Sequence, residues 1–340
     1  MKLTNLLKSA AAFAVAAGLL AAPAKAQEEH NYLLATASTG GTYYPVGVAL
    51  ATLVKVKLQP GQKINMSAIN SAGSGENVKL MRDNEAQFGI LQGLYGSYAW
   101  NGTGPIKADG PQKELRSISM LWPNVEHFVI KKEFAKTGTI QDVIDMQGQA
   151  FSMGSKNSGT LGSNETIMGN LGVADLASAY ELAYLGYGPS GAALQDGKIA
   201  GMSTPAGAPV SAVTSAMAAM GTDLALVDFT DEQMEKANGG LGLWTRYVVP
   251  AGTYPNQDKD FNTIAQPNFL AVRADLPEED VYKITKTIFE NLAFLQGIHP
   301  ATKAMSLESA LAGLPMPLHP GAAKYFQEAG VTVPDSLIAQ

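Results

Sequence analysis

Tyr32-Leu33-Leu34-Ala35-Thr36-Ala37-Ser38-Thr39-Gly40-Gly41-Thr42-Tyr43-Tyr44-Pro45 is the stretch whose reading decides the fold. Its first five residues form a short apolar run of buried-strand character. Ser, Thr and Gly then crowd the middle. From Val46 to Lys57 apolar residues recur at helical spacing, at Val46, Leu50, Leu53 and Val54, which predicts a helix. Strand, Gly-rich loop and helix in that order open an α/β unit with hydroxyls at the mouth of the helix.

The same order continues downstream. A strand is expected over 64–69, a helix over 76–84 and a strand over 87–91. The later chain repeats it: a strand over 150–153, the loop Gly154-Ser155-Lys156-Asn157-Ser158-Gly159-Thr160, and a helix over 161–171. A helix over 190–195, a strand over 198–202 and the loop Ser203-Thr204-Pro205-Ala206-Gly207 follow. Ser38 and Ser155 lie 117 residues apart, Gln92 and Thr204 112 apart. Matching loops at near-constant separation predict two α/β lobes, mostly parallel, each presenting polar loops at the carboxyl ends of its strands, the edge where open α/β sheets bind ligands. Residues 119–130 read as an extended segment leaving the first lobe, with Pro123 interrupting its pairing. Residues 268–273 read as the return crossing, ahead of a helix for which Asp275 is the expected cap. The expected division is lobe I over 27–125 and 268–340 and lobe II over 126–267. Two crossings make a hinge.

The first 26 residues have the order of a secretory leader: Lys2 and Lys8, an apolar stretch from Ala10 to Ala22, then Ala24-Lys25-Ala26. The stretch falls short of the roughly 20 residues needed to span a bilayer. Cleavage after Ala26 and a periplasmic location are therefore expected. Loss of Lys2, Lys8 and Lys25 leaves 21 basic residues against 30 acids. A surface that acidic, without a basic cluster, argues against nucleic acid or anionic lipid as partner. Zero cysteines exclude disulfides, thiol nucleophiles and thiolate metal sites.

Enzyme motifs are missing. The chain has no G-x-S-x-G, no Walker loop and no H-E-x-x-H, and His30, His127, His299 and His319 are scattered. No catalytic residue, metal or cofactor is expected. An exported hydrolase would have to use Ser38 or Ser158 with His127; a sensory subunit presenting its ligand to a membrane kinase is another reading. A Ser/Thr/Gly loop before a helix offers hydroxyls and unpaired N–H groups at the positive end of a dipole, which hold a carboxylate without a basic side chain. Tyr43 and Tyr95 fit packing against a carbon chain better than Tyr44 and Tyr98, which suit core faces.

These residues resemble a known family. Ser38-Thr39-Gly40-Gly41-Thr42-Tyr43-Tyr44-Pro45, Ser71-x-Gly73-Ser74-x-Glu76-Asn77 and Gly154-x-x-x-Ser158-Gly159-Thr160 look like the TAXI family of TRAP-transporter solute receptors. Pro250-Ala251-Gly252-Thr253-Tyr254-Pro255, Val272-Arg273-Ala274-Asp275-Leu276-Pro277 and residues 314–323 agree, so the likeness covers nearly the whole mature chain. It implies an α/β, type II periplasmic-binding-protein fold with a cleft between the lobes. It also implies a small organic anion such as glutamate or 2-oxoglutarate as ligand, and an ion-driven TRAP permease as membrane partner; a neutral amino acid is the runner-up. The receptor is expected to be a monomer. By motif, Ser38, Thr39, Gly41, Thr42 and Tyr43 would meet the ligand with Ser71, Gln92 and Tyr95, and Ser158, Gly159, Thr160 and Gly207 would face them. The chain departs at Lys156-Asn157 and at Gly197-Lys198-Ile199-Ala200-Gly201. Lys156 and Arg246 are the candidate counter-charges, Lys156 favouring a doubly charged anion.

Overall fold

The computed structural model describes residues 28–338. The expected leader and its cleavage point lie outside the described residues. Among the described residues, no helix is long and apolar enough to cross a membrane.

The strands are β1 (His30–Ala35), β2 (Ile64–Ile69), β3 (Phe88–Gln92), β4 (Leu115–Val125), β5 (Phe128–Lys131) and β6 (Ala150–Ser152). They continue with β7 (Glu181–Leu182), β8 (Gly201–Ser203), β9 (Leu224–Leu226), β10 (Thr245–Val249) and β11 (Phe261–Arg273). One sheet runs β10-β11-β3-β1-β2, with β4 also paired to β11; the other runs β7-β6-β8-β5-β9. This is the two-lobed α/β architecture of periplasmic binding proteins. Parallel pairing holds at β1 with β2 and β3, and at β6 with β7 and β8. It fails at β11, antiparallel to β3, β4 and β10, and at β5, antiparallel to β8 and β9. Both therefore run opposite to the βα strands beside them, β3 and β8.

Among the described residues four apolar clusters flank the two sheets, the largest on the first sheet and the second largest on the second. Leu34, Leu50, Val54, Phe88, Leu270 and Phe326 are buried in the first, against the helices Glu278–Phe289 and Pro320–Glu328. Phe128, Phe151, Ile167, Trp244 and Ile264 are buried in the second. Each such side chain contributes about 1.5–3 kcal/mol on full burial. Ile264 and Leu270 belong to different cores although both lie on β11. β11 is therefore a crossing, longer than the 268–273 read from sequence. The other crossing is β4 to β5 through Glu126 and His127.

Several local expectations change. The first helix is Tyr43–Gln62, longer at both ends than 46–57, and it stops where Lys63 turns left-handed at φ 57°. Pro123 does not break β4: it sits opposite Pro267 on β11, so two residues without N–H share one rung of the ladder. Asp275 is not a cap. The helix begins at Glu278 behind Pro277, and Arg273 Nη2 donates to Asp275 Oδ2 at 2.8 Å.

Candidate ligand-binding cleft

The carboxyl ends of both sheets face each other across a cavity walled by Ser38, Gly41, Thr42, Tyr43, Gly73, Ser74, Gln92 and Asn124 on one side. Ser155, Ser158, Gly159, Thr160, Gly186, Tyr187, Pro205 and Ala206 close the other. Five helices begin here: Tyr43–Gln62, Ser74–Arg82, Gly93–Asn101, Gly159–Asn170 and Tyr187–Gln195. Their N-cap residues are Thr42, Gly73, Gln92, Ser158 and Gly186, and all five are cavity wall. Each N-terminus leaves backbone N–H groups without intrahelical acceptors and carries about half a positive charge. No Asp, Glu, Lys, Arg or His is among the lining residues. The wall is positive through its backbone and neutral in its side chains, a combination suited to a small anion.

Direct bonds span the cleft. Thr42 Oγ1 donates to the Gly207 carbonyl at 2.8 Å, and Ala212 N–H to that of Gly40 at 3.2 Å. The Gln92 amide donates to the Gly159 carbonyl at 2.8 Å, and Glu76 N–H to that of Asn157 at 2.9 Å. Tyr187 N–H donates to Ser38 Oγ at 3.2 Å; its hydroxyl bonds Thr160 Oγ1 at 2.7 Å and the Pro205 carbonyl at 2.6 Å. Burial raises the Tyr43 and Tyr187 phenols above their ordinary range, so both stay neutral. A water-sized sphere has only about 40 Å³ for its centre.

The NMT1-like family profile matches residues 34–330, a span that holds every residue of the cavity wall. The chain belongs to the NMT1-like family. PhnD1 from Prochlorococcus marinus (MIT 9301), solved with methylphosphonate, is 12% identical over 89% of this chain and 99% of its own, TM-score 0.53. A chain from Bordetella bronchiseptica RB50 is 13% identical over 91% of each, TM-score 0.52. At such identities the likeness is one of fold.

In this NMT1-like chain Ser38, Gly41, Thr42, Tyr43, Gln92, Ser158, Gly159 and Thr160 line the cavity. The other residues singled out from sequence take different places. Thr39 is exposed at the loop tip. Ser71 shapes the neighbouring loop, bonding Asn77 Oδ1 at 2.6 Å and accepting from Gly73 N–H at 3.0 Å. Tyr95 is buried against the second lobe: a Cβ added at Gly162 would lie 2.6 Å from its hydroxyl. Gly207 meets Thr42 through its carbonyl and packs on the Trp122 indole.

Neither candidate counter-charge reaches the wall. Lys156 is exposed, its Nζ 5.0 Å from the centre of the Tyr184 ring. Arg246 lies on β10, bonded to the Phe229 carbonyl at 2.6 Å and Asp231 Oδ1 at 2.7 Å. His127, the base a hydrolase would need, is fully buried with Nδ1 on the Val125 carbonyl and Nε2 on the Tyr254 hydroxyl, both 2.8 Å. Neither ring nitrogen is left for Ser38 or Ser158, and Ser158 Oγ caps its helix at Leu161 N–H.

Sequence reasoning missed Ser74, Asn124, Gly186 and Tyr187. Ser74 stood in a quoted motif; Asn124 stood inside the first crossing, where a strand residue gives no local sign of facing a cleft. Gly186 and Tyr187 fall in a stretch that the expected helix at 190–195 left outside.

Proposed function

We propose that this chain is an exported solute receptor that closes its lobes on a small organic anion and passes it to a membrane permease. Lobe I comprises 27–125 and 268–340, and lobe II 126–267. The observation that carries the reading is the convergence of five helix N-caps on a cavity without an ionisable side chain. Each exposed dipole is worth about 0.3–1 kcal/mol and a partly buried one up to about 2. Five partly buried dipoles sum to at most about 10 kcal/mol, a ceiling that includes the roughly −8 kcal/mol of micromolar binding.

The solute belongs to the dicarboxylates and acidic amino acids, glutamate and 2-oxoglutarate among them, the smaller members being favoured by the tight cavity. The partner is a TRAP permease and the subfamily TAXI; the support for both is the set of short motifs in the first loop, the Ser-Gly-Thr loop and the C-terminal third. The ligand-contacting residues are those of the wall, with Ser38, Thr42, Gln92, Ser158 and Thr160 foremost. No bond is made or broken in this role.

A thermal-shift screen of the mature protein against carboxylates, amino acids and methylphosphonate tests it. A ligand at 100 times its Kd stabilises by about 2.7 kcal/mol. Stabilisation by no anion, or by neutral solutes only, rejects the reading.

A further inference from the structure

We infer that Asn124 is a specificity-determining residue of this cleft: its carboxamide oxygen requires a hydrogen-bond donor on the ligand, so the site takes an amino or hydroxy acid in preference to the keto acid of the same skeleton. The inference rests on the reading of the cleft as an anion receptor and adds which anions it selects.

The orientation of the Asn124 amide follows from a chain of bonds anchored on a backbone carbonyl. Gly159 O can only accept, so the Gln92 amide must turn its Nε2 toward it, at 2.8 Å. That leaves Gln92 Oε1 facing Asn124, which must offer its own Nδ2, at 3.2 Å. A flipped Asn124 would set two carbonyl oxygens against each other, and a flipped Gln92 would do the same at Gly159. The remaining atom, Asn124 Oδ1, is buried and has no partner. Asn124 is 2% exposed and part of the cavity wall. Several buried side chains have an unpartnered polar atom, but of these Asn124 alone is also a lining residue.

A buried acceptor without a donor is costly, and a site built around one rejects ligands that cannot fill it. The helix N-termini on the same wall satisfy the acceptor groups of an anion. Asn124 asks for the opposite. A C2 ammonium or hydroxyl supplies the missing N–H or O–H, whereas a C2 keto oxygen presents lone pairs to lone pairs.

Calorimetry on the mature protein with three matched pairs tests this: L-glutamate and 2-oxoglutarate, L-malate and oxaloacetate, L-lactate and pyruvate. In the pair that binds, the donor-bearing acid should bind at least tenfold more tightly than its keto partner. Asn124→Leu should bring the ratio to within twofold, the donor-bearing acid losing the bond that its keto partner never made. Equal or tighter binding of the keto acid to wild type overturns the inference whatever the variants do. So does an unchanged ratio in a folded Asn124→Leu. If in either case Gly159→Trp, which fills the cavity, still abolishes binding, the receptor reading survives. Binding of none of the six acids overturns the inference, and the thermal-shift screen then decides the receptor reading by itself.

Discussion

Gln92 and Gly159 join the two sides of the cleft: the cap of one helix donates its amide proton, over 2.8 Å, to the first carbonyl of a helix on the facing lobe. The two residues are far apart in sequence: Gln92 ends β3 of one sheet, and Gly159 opens the helix that follows β6 of the other. Their bond forms only when the lobes meet, so it contributes to the closed state and not to either lobe alone. Bonds of this kind set the balance between open and closed forms, and hence the apparent affinity of any ligand held between them.

Removing that bond should weaken binding without unfolding the protein. A typical net hydrogen bond is worth about 0.5–1.5 kcal/mol. Gln92→Leu should therefore raise the Kd of the solute about two- to tenfold by calorimetry, with little change in the melting temperature of the free protein. Unaltered affinity would mean that closure does not use this contact.

Closure also depends on Gly40. A Cβ there would lie 2.6 Å from the Gly188 backbone nitrogen, too close for either side to yield cheaply. Gly40→Val should hold the lobes apart, lowering affinity at least tenfold. The ligand-induced decrease in radius of gyration, read by small-angle scattering, should disappear. Normal compaction on ligand addition would show that the loops can rearrange.

The hinge carries two buried ionisable neighbours. Burial pushes the Glu126 carboxyl up to about 8, with Trp244 Nε1, 3.1 Å from Oε1, and Gln266 opposing that shift only in part. Burial also lowers the His127 imidazole to about 4, opposed by its bond to the Val125 carbonyl. Folded Glu126 keeps a proton that the unfolded chain releases above its ordinary value of 4.5. Its contribution is complete below that value and declines as pH rises toward 8, by up to about 1.4 kcal/mol per pH unit. His127 has the opposite sign: its contribution is present above pH 6.5 and is lost as pH falls toward 4. Melting temperatures between pH 6.5 and 8 therefore isolate Glu126. Wild type should lose stability across that interval and Glu126→Gln should not; parallel profiles would contradict the assignment.

The two cations outside the cavity provide a control. Lys156→Ala should leave affinity for mono- and dicarboxylates within twofold, because the ammonium lies over Tyr184 rather than on the wall. Arg246→Ala should likewise spare binding but cost about 1 kcal/mol of stability, since its guanidinium holds the Phe229 carbonyl. A drop in dicarboxylate affinity alone in Lys156→Ala would restore that residue to the site.

Much of the molecule could be read from short stretches. The run from Tyr32 to Pro45, the Ser-Gly-Thr loop before Leu161 and the alternation of strands with helices all depend on neighbours a few residues apart. Their propensities and periodicities act locally, so sequence alone determined the α/β class, the two-lobed plan and the hydroxyl-rich loops at the helix starts. What only the tertiary structure decided is which of those groups meet. Asn124 and Tyr187 become wall residues because the crossing β4 and a helix of lobe II bring them to one place. Tyr95 and Lys156 sit beside such loops in the chain and still point elsewhere. The orientation of a side chain toward a cleft is set by sheet register and by how two lobes close, and those distances run across the whole fold, where local pattern carries no record of them.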